Sequence, residues 1–280
     1  MSDPAAPPPR EITEDTPLSS LSEAEIAQLT EKMLQEPSTR TKLIAEITSL
    51  STLREEYLDG AQSVVRQIDW LHAHGFSKFR RTARDGNCFW RSVAFSYLDR
   101  LLHSDDIPAT VERFRSVLHS KEAGLTLAFN DDIHKEFSEH LFALMQTIQD
   151  FGAALTTEDL LENFLQASDH VSYYFRLVAS AEIRTNPEPY RDFIGADIVE
   201  FCQSQVEAVQ SEADHIAMMA LCNGLRIRLK LATLSSHVQG EVQESDVFTI
   251  ISPADAMDKD LPPILLLFRP GHYDILLGPS

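Results

Sequence analysis

The chain has 280 residues, a formal net charge of −19 at pH 7, three cysteines and 43% hydrophobic residues. That apolar share supports a core of ordinary size, in one sizeable domain with a tail or in two small ones. The acidic excess argues against nucleic acid or an anionic membrane as principal partner, and an odd set of cysteines without ligand spacing argues against a disulfide scaffold or a metal cluster.

In chain order, residues 1–20 are rich in proline and acidic side chains, a composition expected to stay disordered. Met1 to Arg10 lack the apolar core of a signal peptide, and no stretch approaches the ~20 apolar residues of a membrane span. The cytoplasm is the expected compartment, with the nucleus as a second. From Ser22 to Gln35 a helix is predicted: Ser22 and Glu25 form a capping box, and Ile26, Leu29, Met33 and Leu34 make an apolar stripe. Pro37 ends it. Such a helix either packs as a structural element or docks on a partner through its one apolar face. Residues 1–40 are therefore read as an acidic, partly disordered arm with one amphipathic helix, and 41–280 as the folded domain.

Helical spacing dominates from Lys42 to Gly224, with breaks near Gly60, Pro108, Gly152 and Pro187-Glu188-Pro189. Within it stands Asp85-Gly86-Asn87-Cys88-Phe89-Trp90-Arg91-Ser92. Asp85-Gly86 signals a turn, Asn87 is a good N-cap, and Phe89, Val93, Tyr97, Leu98, Leu101 and Leu102 recur at helical spacing. Cys88 is thus predicted in the first turn of a helix. There the outward N–H groups lower a thiol's pKa, and Gly86 lets N–H groups converge on a developing oxyanion.

After Gly224 the period changes. Leu225, Ile227, Leu229 and Leu231 alternate with Arg226, Arg228 and Lys230, predicting a strand with one buried face and one basic, solvated face. Further strands are predicted at Val247–Ile251, Ile264–Phe268 and His272–Leu277, the last two joined by a turn at Pro270-Gly271. The fold class is α+β, a helical body packed on a small, mainly C-terminal β-sheet.

On the last strand, His272 and Asp274 stand two apart and share a face, with Tyr273 on the other. A carboxylate placed there can hold the imidazole in one tautomer while its other nitrogen faces Cys88. The plainer reading has equal standing at this point. A lone cysteine on an apolar helix is ordinarily a small buried hydrophobe, and spacing does not by itself bring residues 88 and 272 together. Asp214-His215, just before an apolar helix at Ile216–Leu221, reads as an N-cap aspartate and a structural histidine. Pro187–Phe193, with Tyr190 and Phe193, reads as an exposed loop.

The motifs resemble a known family. Residues 85–91 are similar to the nucleophile motif of the ovarian tumour (OTU) superfamily of cysteine proteases, and Arg269 to Leu276 to the histidine motif of its otubain branch. Ser168-Asp169-His170, Tyr173 to Leu177, Glu200-Phe201-Cys202 and Glu212 to Ile216 extend the likeness from about residue 40 onward. The resemblance implies an OTU-type fold with its core at about 77–280, and a deubiquitinase that cleaves isopeptide bonds in ubiquitin conjugates. It implies Cys88 as nucleophile, His272 as general base, Asp274 as the residue orienting the imidazole and Asp85 as shaping the oxyanion-hole loop. No metal or organic cofactor is expected. The expected partners are ubiquitin and polyubiquitin, met by a monomer. The alternative is a non-catalytic regulator that binds ubiquitin-conjugating enzymes through the N-terminal arm.

Overall fold

The computed structural model of the protein describes residues 43–279, apart from 130, 196, 209 and 210. The arm and the helix expected at Ser22–Gln35 lie outside the described residues. One mixed sheet runs in the order β1-β2-β6-β5-β3-β4. Its strands are β1 (Ile44–Ser49), β2 (Lys78–Thr82), β3 (Leu229–Thr233), β4 (Phe248–Ile251), β5 (Ile264–Arg269) and β6 (His272–Leu276). All neighbours are antiparallel except β3 and β5, which run parallel.

Helices cover both faces. On one lie α1 (Leu50–Tyr57) and α2 (Gln62–Ala73), whose Leu50, Leu53, Val64, Ile68 and Leu71 form a small core with Phe79, Leu267 and Leu276. The other face carries the larger core, built around α3 (Cys88–Leu102) and packed by α4 (Ile107–Ala128), α5 (Asp131–Phe151), α6 (Thr157–Thr185) and α8 (His215–Leu225). Strand alternation sorts the two: Ile264, Leu266, Tyr273 and Ile275 join the large core, Leu267 and Leu276 the small one. A short α7 (Ile198–Phe201) runs on into one π turn at Cys202–Val206, and α9 (Glu244–Val247) precedes β4. The class is α+β, as expected.

Local chemistry explains the ends that matter. A reciprocal Thr156–Asp159 capping box starts α6. Asp214 caps α8 by accepting from Ala217 N–H at 2.7 Å, the structural role expected of it. Inside α8, a Cβ on Gly224 would stand 2.8 Å from Val178 Cγ1, so only glycine lets α8 approach α6 this closely.

Four sequence expectations change. The helical reading from Lys42 missed β1 and β2, so two of the six strands precede the cysteine. The strand predicted from Leu225 starts only at Leu229: α8 runs through Leu225, and Arg226 (φ 54°) adopts the left-handed conformation that ends it. Its basic side chains are also paired rather than simply solvated. Arg226 meets Asp255, Arg228 meets the buried Asp258, and Lys230 meets Glu244 over the Phe248 ring. Finally, Tyr190 is buried, its hydroxyl accepting from Asn223 Nδ2 at 2.7 Å, while Glu188, Arg191 and Phe193 leave the rest of that loop exposed as expected.

Candidate active site

Cys88 is the first residue of α3, at the end of the helix beside β6. Nearly every position of α3 is buried, Trp90, Val93, Ala94, Tyr97, Leu98 and Leu101 among them, so the core fixes the helix and with it the position of the thiol. Four residues ahead of Cys88, Arg84 begins a loop that is wired to two buried arginines, one on α3 itself and one distant in sequence. Arg91, itself 1% exposed, donates to Asp85 Oδ1 at 2.9 Å, to Ser168 Oγ at 3.1 Å and to Asp169 Oδ1 at 3.3 Å. Arg176 of α6, with no exposed surface, donates to Gly86 O at 3.0 Å and Asn87 Oδ1 at 2.8 Å. It also donates to Val206 O, Ser211 O and Ser211 Oγ, and lies over the Trp90 ring.

This wiring revises two expectations. The Asn87 side chain makes no cap bond to α3, because its oxygen is taken by Arg176. The loop's N–H groups also point inward: Asn87 N–H donates to Asp85 Oδ1 at 3.0 Å and Cys88 N–H to Asp85 O at 3.2 Å. The donors that would converge on an oxyanion are therefore engaged within the loop in this conformation.

His272 and Asp274 lie on β6, between β2 and β5. The hairpin that leads into β6 puts Pro270 and a left-handed Gly271 (φ 71°) in the two central turn positions, the type II pattern. Arg269 and His272 are thereby paired across it. Both His272 and Asp274 are buried, and His272 Nε2 is 2.9 Å from Asp274 Oδ1. The shared face read from the sequence is the geometry found. Asp274 also accepts from Thr82 N–H at 3.0 Å and from Arg269 Nε and Nη2 at 3.0 and 2.6 Å. Burial pushes this carboxyl up, but the His272 hydrogen bond, the Arg269 charge and the Thr82 N–H outweigh it and leave it below its ordinary value.

Cys88 lies against β6 at Tyr273, the residue next to His272, and no hydrogen bond joins the thiol to the imidazole. The backbone N–H of Tyr273 faces the Cys88 sulfur, and His272 Nδ1 has no hydrogen-bond partner among the described residues. The thiol's pKa is raised, against the expectation of a lowered one. Burial is the main cause, the Tyr273 N–H opposes it, and the nearby Asp85 charge adds to it. These surroundings favour the thiol over the thiolate. Cys202 and Cys222 are also buried and free; the charges that act on them are the paired Arg184–Glu207 and Arg100–Asp258, and neither stands at a histidine, which fits the structural role of most buried cysteines.

Among the described residues no cluster of three or more metal-ligating side chains occurs and no helix is long and apolar enough to cross a membrane. Reading from spacing missed Arg91, Arg176 and Arg269 as site-building residues. Each stands inside a motif quoted above, but only the fold shows what its guanidinium holds.

The Peptidase C65 Otubain family profile matches residues 36–278. The OVARIAN TUMOR DOMAIN-containing deubiquitinating enzyme 1 of Arabidopsis thaliana is 30% identical over 259 residues, covering 86% of this chain and 83% of that protein. Ubiquitin thioesterase OTUB1 of Rattus norvegicus is 31% identical over 251 residues, covering 88% and 87%. A chain of the solved h/ceOTUB1–ubiquitin aldehyde–UBC13~Ub complex shares the fold at a TM-score of 0.73 and 22% identity, over 91% of this chain and 98% of that one. A chain of the corresponding UBCH5B~Ub complex gives 0.71 at 24% identity, over 91% and 97%. With that profile spanning most of its length and such relatives matched almost end to end, this chain belongs to the otubains, the Peptidase C65 family.

Proposed function

We propose that this otubain is a cysteine deubiquitinase that hydrolyses isopeptide bonds in ubiquitin conjugates and polyubiquitin. The observation that carries the reading is a buried Asp274–His272 pair, with one imidazole nitrogen left over, beside a cysteine at the start of a helix. Relatives at 30–31% identity that bear the names ubiquitin thioesterase and deubiquitinating enzyme support the substrate class.

In this mechanism His272 takes the Cys88 proton through Nδ1, and the thiolate attacks the carbonyl of the ubiquitin C-terminus. The imidazolium returns the proton to the departing lysine amine, leaving a thioester that water hydrolyses with His272 again as base. Asp274 keeps Nε2–H engaged throughout, which holds Nδ1 as the acceptor. Asp85 holds the loop before Cys88. Because the Asn87 and Cys88 N–H groups are taken within that loop, and the thiol is protonated, entry of the ubiquitin tail has to free a donor and turn the thiol toward His272. The N–H groups of the loop then face the oxyanion.

The test is intact-mass analysis after incubation with ubiquitin bearing a thiol-reactive C-terminal warhead. A gain of one ubiquitin, absent in Cys88→Ala, is expected; no gain from folded protein overturns the reading. We extend to this chain a second activity, binding of ubiquitin-conjugating enzymes, supported by the UBC13~Ub and UBCH5B~Ub complexes of its structural neighbours. Inhibition of conjugation that survives Cys88→Ser but is lost on deleting residues 1–40 is its expected signature.

A further inference from the structure

None of the Asp274 carboxylate reaches solvent, and its two oxygens take four donors. Oδ1 accepts from His272 Nε2 and Thr82 N–H, while Oδ2 accepts from two N–H groups on one edge of the Arg269 guanidinium. Arg269 is 4% exposed and is anchored from behind, its Nη1 3.9 Å from Glu56 of α1. The tight Pro270-Gly271 turn fixes Arg269 opposite His272, so the cation has little freedom to leave.

A carboxylate in this position ordinarily does two things to a histidine. As an acceptor it orients the ring, and as an anion it stabilises imidazolium and makes the ring more basic. A permanent cation on the far oxygen opposes the second effect and leaves the first intact. We propose that Arg269 is a positioning residue which fixes the Asp274 carboxylate and, by offsetting its charge, limits how far that anion can stabilise an added proton on His272. Toward the ring, Arg269 and Asp274 together act as a net-neutral acceptor, much as an amide would. The catalytic part of this inference rests on the reading of His272 as general base; the electrostatic part does not.

The other charged groups around the pair are few. Glu56 on α1 and Arg81 on β2 pair with each other behind Arg269. Glu212 and Asp214, in the segment before α8, face Tyr273 and the Gly271 turn, and Asp85 faces Cys88 on α3. All of these stay in place in the variants below, so differences report on Arg269 and Asp274.

The experiment is a pH titration of the His272 ring by 1H–15N NMR in the full chain, for wild type, Arg269→Met, Arg269→Lys, Asp274→Asn and the double variant Arg269→Met/Asp274→Asn. Removing the cation beside a retained anion should raise the His272 midpoint by about one pH unit, and Arg269→Lys should keep most of the wild-type value. Asp274→Asn leaves the cation uncompensated and should lower the midpoint. The double variant should restore it, because a neutral acceptor again faces the ring. On a fluorogenic ubiquitin C-terminal amide, the acid limb of kcat/KM should move up with the midpoint in Arg269→Met while KM stays near wild type. A His272 midpoint that is unchanged or falls in Arg269→Met overturns the proposal. Should that variant not fold, Asp274→Asn and the double variant having the same midpoint overturns it equally. Midpoint shifts as expected in the variants, with a wild-type chain that cleaves no ubiquitin amide, support this role for Arg269 and overturn the deubiquitinase reading instead.

Discussion

Arg176 offers the sharpest test of how the cysteine loop is held. Its guanidinium has no exposed surface and donates to five acceptors: Gly86 O, Asn87 Oδ1, Val206 O, Ser211 O and Ser211 Oγ. Arg176→Met keeps most of the aliphatic volume against Trp90 and removes every one of those donors. A buried acceptor left unpaired costs about 1–3 kcal/mol, so five such acceptors in a dry site would cost far more than the whole variant is expected to lose. Two effects reduce the sum. The segments around residues 86 and 211 lie near the surface, where water replaces part of the lost bonding, and deleting a buried cation recovers its desolvation penalty. Burial of this guanidinium is marked enough to draw its pKa below the ordinary arginine value. A net loss of about 3 kcal/mol is expected, less than the typical stability of a domain. It corresponds to roughly 6–12 °C in Tm for a domain of this size. Turnover should fall further than folding accounts for, by about 10²-fold, because the Gly86–Asn87 peptide loses its anchor next to the nucleophile. Urea unfolding followed by circular dichroism gives the first number, and steady-state cleavage of a ubiquitin C-terminal amide the second. A loss below about 1 kcal/mol together with wild-type kcat would refute the reasoning, since the loop would then hold its shape without Arg176.

Asp274→Ala should lower kcat by about 10²-fold or more with little change in KM, because the ring loses its orienting acceptor and faces an uncompensated Arg269; steady-state kinetics decide. The depressed Asp274 pKa means stability present above the unfolded carboxyl value and lost as pH falls below about 4. Acid unfolding of Asp274→Asn should accordingly be less pH-dependent in that window. His103 titrates the other way: its hydrogen bond to Asp99 raises it to about 9, so its contribution is complete below about 6.5 and lost as pH climbs through 9. The ring is mostly exposed and screened, so the difference between wild type and His103→Gln should stay under about 1 kcal/mol and appear only between those values. The free Cys88 thiol should alkylate slowly with iodoacetamide at pH 7; labelling there as fast as that of an activated thiolate would contradict the raised pKa. Gly224→Ala should lower Tm through the clash with Val178 Cγ1, and a second change, Val178→Ala, should recover part of the loss.

Periodicity worked where apolar runs are unbroken and the turn between them is marked by local residues. β5 and β6 showed as an apolar run, a Pro-Gly turn and an alternating strand, and the structure has them at those places. β1 and β2 escaped for physical reasons. In β1 the apolar residues Ile44 and Ile47 are three apart, the spacing of a helix, because a bulge between them breaks the pleat. In β2 the buried residue after Phe79 is Arg80, accommodated by Ala45 O of β1, by Glu158 and by the Phe95 ring, none of them a sequence neighbour. The Leu225–Leu231 alternation began early because α8 ends in apolar residues that by coincidence continue the strand's phase. At the site, the residue types at 85, 88, 272 and 274 were legible, whereas the tertiary anchors that set them were not. Whether Cys88 meets His272 is a matter of angles within the loop, which no residue spacing encodes.

The sheet order carries a consequence for synthesis. β6 pairs with β2, and the bond from Thr82 N–H to Asp274 Oδ1 joins residues 192 positions apart. At translation rates of about 5–20 residues per second, the segment holding Cys88 is made roughly 10–40 s before His272 emerges. During that interval the nascent chain has a cysteine on a helix and nothing to take its proton. β2 meanwhile waits with one edge unpaired, a slow long-range closure. The last strand added is thus also the strand that completes the sheet between β2 and β5. The His272–Asp274 pair and structural completion arrive together, so a chain cut short before β6 lacks both that pair and the strand on which the sheet closes.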